Sequence, residues 1–104
     1  MSLFKIKKGK LEAWLNWCKL LHTTYRKDAI RTLSEEGLTH EGFGIFKLNE
    51  EHYTIGFSVG ENLPANMNKE INQKHRAMKK ECLEKIGPVE LNYELATGSL
   101  PTGQ

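Results

Sequence analysis

Between Leu11 and Leu33 apolar residues return every three or four positions: Leu11, Trp14, Leu15, Cys18, Leu21, His22, Tyr25, Ala29 and Leu33. That spacing predicts one amphipathic helix of about six turns. "SEEG" ends it, with Gly37 as a left-handed stop. The runs around it have period two instead. "LFKIK", residues 3–7, reads as a strand, and residues 38–48 and 53–59 read as a hairpin joined by "NEEH". After the loop "GENLPAN", Asn66 or Asn68 can cap a second helix reaching about Glu84. Its stripe is Met67, Ile71, His75, Met78 and Cys82; "IGP" stops it and "VELNYEL" is a last strand. With right-handed crossovers the order βαββαβ gives an α+β, ferredoxin-like domain. Its four-stranded antiparallel sheet carries both helices on one face. Residues 1–95 make that domain, and residues 96–104 form a C-terminal tail without pattern.

Composition narrows the function classes. A chain of 104 residues is one domain with a modest core. Its 15 basic residues are interspersed with 13 acidic ones, which argues against a polyanion partner such as nucleic acid. No apolar run is long enough to span a bilayer. The start "MSLFKIKKGK" has no signal-peptide core, so the expected compartment is the cytoplasm. Cys18 and Cys82 are not a disulfide framework there, and no spacing suggests a metal finger or a cofactor.

"HEGFGIFKL" (residues 40–48) resembles the base-stacking strand of RNA-recognition domains. It falls on the second strand rather than the third, and Glu41 stands where a cation belongs, so the likeness is a decoy. If Leu48 pairs with Tyr53, then Gly44 faces Phe57, Gly42 faces Val59, and His40 shares their side. Being the more apolar, that side is expected beneath the helices. Gly42 and Gly44 there either relieve crowding by Phe57 or open a cavity. The other side carries Phe43 and Ile45 and is expected to pair with a second copy, giving a homodimer through the open sheet face.

His22 and His75 sit mid-stripe on the two helices, and His40 lies on the strand side assigned to them. Buried imidazoles each need a partner or a change of protonation. Together with Tyr25 they are the candidate catalytic residues. Arg26, Gly42, Gly44 and Asn72 are candidate ligand-binding residues, and no metal is expected. Trp17 and Leu20 lie off the stripe and are expected to be exposed or to touch a partner.

The stretches "KLEAWLNWCKLLHTTYR", "EEGLTHEGFGIF" and "EINQKHRAMKKECLEKIGP" resemble an uncharacterised bacterial family of dimeric α+β-barrel proteins of about this length. The resemblance covers roughly residues 3–95 and implies a homodimer with no established activity. A more distant similarity is to rhamnose mutarotase. His22, Gly37 and "GFGIF" match in kind, which implies His22 as a proton donor or acceptor to a sugar ring. Phe43 and Phe46 lack the hydroxyl of that family's tyrosine, and "NQKHRA" lacks its paired tryptophans. The resulting expectation is a small-molecule-binding homodimer, as a cofactor-free proton-transfer enzyme of mutarotase or isomerase type. The alternative is a non-catalytic interaction module with core histidines.

Overall fold

A computed structural model of the chain describes residues 1–99. β1 (Ser2–Ile6) leads through Gly9, at φ +76°, into α1 (Leu11–His22). The expected long helix is interrupted. α1 stops at His22 and α2 runs Arg26–Glu35. The cause is local: Thr23 Oγ1 donates to the Lys19 carbonyl at 2.7 Å, and Tyr25 N–H turns back to the Leu20 carbonyl at 2.8 Å. Two successive β-branched threonines favour such side-chain bonding over a continued helix. Gly37, at φ +68°, ends α2 as expected, its N–H bonding the Ser34 carbonyl.

β2 (Leu38–Leu48) and β3 (Glu51–Gly60) form the hairpin. Its turn is only Asn49 and Glu50, at φ 51° and 67°, the left-handed pair that suits the twist of adjacent strands. This tight turn shifts the register by two residues from the expected one: Leu48 pairs with Glu51, Phe46 with Tyr53, Gly44 with Ile55 and Gly42 with Phe57.

α3 (Glu70–Cys82) ends two residues before the expected Glu84. Asn66 does not cap it. Its Oδ1 accepts the Asn68 N–H in a turn ahead of the helix, and Lys69 is the residue at the cap. At Leu83 the backbone becomes extended with no loop, and β4 is Leu83–Pro88. The expected strand "VELNYEL" is therefore not a strand of this sheet; its pairing with β1 is taken by the six residues before it. A single 3₁₀ turn follows at Thr97–Ser99, and the rest of the tail lies outside the described residues.

The sheet is four-stranded and antiparallel in the order β2-β3-β1-β4, so β2 and β4 are its edges. The helices pack on the face carrying Phe4, Ile6 and Phe43. The core is Ile6, Trp14, Trp17, Ile71, Cys82 and Leu83. This reverses the expected sides of the sheet. Phe43, Gly56 and Thr54 face the helices, with Thr54 only 1% exposed, whereas His40, Gly42 and Gly44 share the opposite side with Phe57 and Val59. Trp17, expected outside, is 4% exposed, and Leu20 packs on the core. Leu15, expected inside, is half-exposed.

The glycines of the hairpin serve packing. A Cβ at Gly42 would come within 2.7 Å of the Phe57 ring, and one at Gly56 within 2.6 Å of the Phe43 ring. Each phenylalanine thus lies flat over the glycine opposite it, one on either side of the sheet. Among the described residues no helix is long and apolar enough to cross a membrane.

Candidate functional site

A cavity of about 810 Å³ lies between α1, α2, α3 and the edge strand β2. α1 supplies Cys18 and His22, α2 supplies Arg26 with Glu36 at the cap that follows it, α3 supplies Asn72, His75, Arg76 and Lys79, and the preceding loop adds Ala65 and Met67. From β2 it takes Glu41 and Phe43 on the helix side and His40 and Gly42 on the other. The hollow therefore continues around the free edge of the sheet.

His75 is the best-held group in it. Trp17 Nε1–H donates to His75 Nδ1 at 2.9 Å. The imidazole stacks at 26° on Trp17 and 29° on Trp14, and meets the edge of Phe43 at a centroid distance of 6.1 Å. An Nδ1 that accepts must be unprotonated, so the proton of the neutral ring sits on Nε2. Burial, followed by the nearby positive charge of Lys79, lowers the His75 pKa to about 4. At neutral pH His75 is thus a fixed, uncharged hydrogen-bond donor through Nε2–H. It is not a general base poised near neutrality. The other two histidines sit in different surroundings: His22 ends α1 in an exposed position, and His40 is exposed on the far side of the sheet with Nδ1 3.0 Å from Thr39 Oγ1.

Two carboxyl groups border the same hollow. Burial pushes the Glu41 pKa up, opposed by Lys79. Burial also pushes Glu36 up, helped by the charges of Glu41 and Glu35 and again opposed by Lys79. Both are biased towards holding a proton, the property asked of a general acid. Lys79 follows His75 by one helical turn, so one α3 stripe carries a neutral donor into the hollow and sets a cation facing both carboxyls. The Cys18 thiol is pushed up by burial and stays protonated, which disfavours a thiolate nucleophile. Among the described residues no group of three or more His, Cys, Asp or Glu side chains is placed to hold a metal ion.

Of the residues singled out in the sequence, His22, His40, His75, Arg26, Gly42 and Asn72 border the cavity. Tyr25 does not. Its ring packs on Trp17, its hydroxyl accepts from Lys74 Nζ at 3.3 Å, and it lines a separate recess of about 50 Å³ with Asp28 and Glu70. The helix break at Thr23 turns it there. Gly44 also lies outside: its carbonyl accepts from Thr54 Oγ1 at 2.7 Å, and its Cα hydrogens face open space. Asn72 is spoken for, donating to the Asn66 carbonyl at 3.0 Å. Cys18 also borders the hollow. Sequence reasoning missed Glu36, Glu41, Arg76 and Lys79. The signal for Glu41 was its position two before Phe43, on the side of β2 that turns out to face the helices.

No curated protein and no solved structure matches the chain. A family of unknown function, DUF6176, matches residues 1–98, nearly the whole sequence, and the chain belongs to that family.

Proposed function

We propose that the cavity binds a small polar organic molecule and moves protons on it without a cofactor, in the manner of a mutarotase or isomerase, within a homodimer. The observation that carries this reading is the single hollow of about 810 Å³ bordered by His22, His40, His75, Glu36 and Glu41. Its size falls within the range of ligand pockets, and its wall mixes apolar side chains with a few polar groups. For a cyclic hemiacetal the chemistry balances. One carboxylate takes the hydroxyl proton, the other carboxyl gives its proton to the ring oxygen, and the ring C–O bond opens to a carbonyl. The Nε2–H of His75 hydrogen-bonds the substrate meanwhile. The strand order β2-β3-β1-β4, with the helices on one face, is read as the ferredoxin-like arrangement. The homodimer reading is supported by the apolar open face, where Phe46, Phe57 and Val59 are 40%, 44% and 52% exposed.

The test uses the imidazole signals as reporters. Reducing sugars and hydroxy acids are screened for a rise in melting temperature, and any hit is titrated while the Hε1 resonances of the four histidines are followed. Expected is a hit that moves His22, His40 and His75 and leaves His52 unmoved. A hit that moves none of the three places binding elsewhere and defeats the reading. A non-catalytic interaction module is the second reading, favoured by the Trp17–His75 bond, which is also what a purely structural histidine needs. In that case the protein would accelerate neither proton exchange nor anomer interconversion of any compound screened.

A further inference from the structure

Residues 89–95 alternate apolar and polar: Val89, Leu91, Tyr93 and Leu95 against Glu90, Asn92 and Glu94. That is the pattern of a half-buried strand. Yet Leu91, Tyr93 and Leu95 are 62%, 78% and 87% exposed, and beyond the Val89 N–H bond to the Met1 carbonyl the backbone of residues 90–95 has no hydrogen-bond partner among the described residues. The radius of gyration is 15.8 Å, where a packed domain of this length has about 13 Å, and the longest extent is 54 Å. The segment is an exposed arm with a bend at Asn92.

We propose that this arm is an intermolecular strand. In a second copy it lies along the free edge of β2, with Leu91, Tyr93 and Leu95 on that copy's open face and Glu90 and Glu94 over the mouth of its cavity. This rests on the homodimer reading above and adds to it the element that each copy gives the other.

Three observations select the occupant. First, β2 is an eleven-residue edge with no strand paired on its outer side among the described residues. Straightened at the Asn92 bend, the seven residues 89–95 span roughly 23 Å and fit along it. Second, the two sides of the arm match the two sides of that edge. One side of β2 continues into Phe57 and Val59; the other opens on the cavity, where Arg26 and Arg76 have no ion-pair partner within 4.0 Å among the described residues and Lys79 faces Glu36 and Glu41 only at longer range. Glu90 and Glu94 supply the opposite charge. Third, the arm leaves from β4, at the far edge of its own sheet and three strand spacings, about 14 Å, from its own β2. An exchange of arms about a two-fold axis satisfies both edges at once.

The test uses the full chain. Sedimentation equilibrium compares it with Leu91→Asp/Tyr93→Asp, whose sites are so exposed that the monomer fold is undisturbed, as circular dichroism verifies. Expected is a dimer whose dissociation constant rises at least about tenfold in the variant. A mixed sample of labelled and unlabelled chains should also show isotope-filtered contacts between the Tyr93 ring of one copy and Phe57 or Val59 of the other. A dimer with an unchanged constant and no such contacts overturns the arm exchange while leaving the open-face dimer standing. Contacts of Tyr93 within one chain overturn the arm exchange alone, and a monomer at every concentration overturns both.

Discussion

Position 75 carries a neutral imidazole, and neutrality has a pH signature. An unfolded chain protonates this histidine near 6.5, whereas the folded chain resists until about 4. Between those values the unfolded state binds more protons, so stability falls as pH falls through that window and is full above it. The difference amounts to as much as about 3 kcal/mol. Glu36 and Glu41 work in the opposite direction: their raised pKa values favour the folded state below 4.5, and that contribution is lost as pH rises through the raised values. His75→Phe separates the two. Urea unfolding at several pH values should give a shallower slope between pH 4 and 6.5 in the variant; parallel profiles would refute the desolvated, neutral state. The importance of His75 was legible in its place on a helical stripe. Its partner was not, because Trp17 lies one step off the first helix's stripe and is buried by the turn of the chain at Thr23.

Elements were legible wherever the hydrophobic period changed, and misjudged wherever two signals competed. The threonine pair competed with a continuous apolar stripe and broke the helix. Both sides of the hairpin carry aromatics, so counting apolar residues chose the wrong inner side. What decides it is that Phe43 meets Trp14 edge-on at 5.2 Å, a contact made only once the helices are in place. For β4, the helical stripe ran on through Cys82 and masked the strand that begins at Leu83. The hairpin's corrected faces make a prediction. Gly44→Ala adds a methyl group to open space and should leave stability within about 0.5 kcal/mol of wild type. Gly42→Ala drives a Cβ into the Phe57 ring and should cost about 1–3 kcal/mol. Chemical denaturation of the two variants checks this; equal effects would contradict the ring-over-glycine arrangement.

At the scale of the whole molecule, the apolar open face and the arm of residues 89–95 are two surfaces left uncovered among the described residues. If copies exchange arms, access to the arm depends on concentration. Glutamyl endopeptidase should cut after Glu90 and Glu94 quickly in dilute protein and slowly in concentrated protein, while the helices stay intact. A cutting rate independent of concentration would count against the exchange. The α+β class with its four-stranded antiparallel sheet was legible in the sequence because strand and helix runs are local. The function was not, since the cavity is assembled from four elements whose polar residues look like ordinary surface positions one at a time.

The joint between Cys82 and Leu83 has a mechanical consequence. With no slack residue between them, and with Lys7 N–H tied to the Cys82 carbonyl at 2.8 Å, rod and ribbon are one lever. A guest that pushes on His75 or Lys79 cannot tilt the rod alone. The ribbon would have to follow, and with it residues 89–95, carrying any push from the hollow to the opposite margin of the sheet.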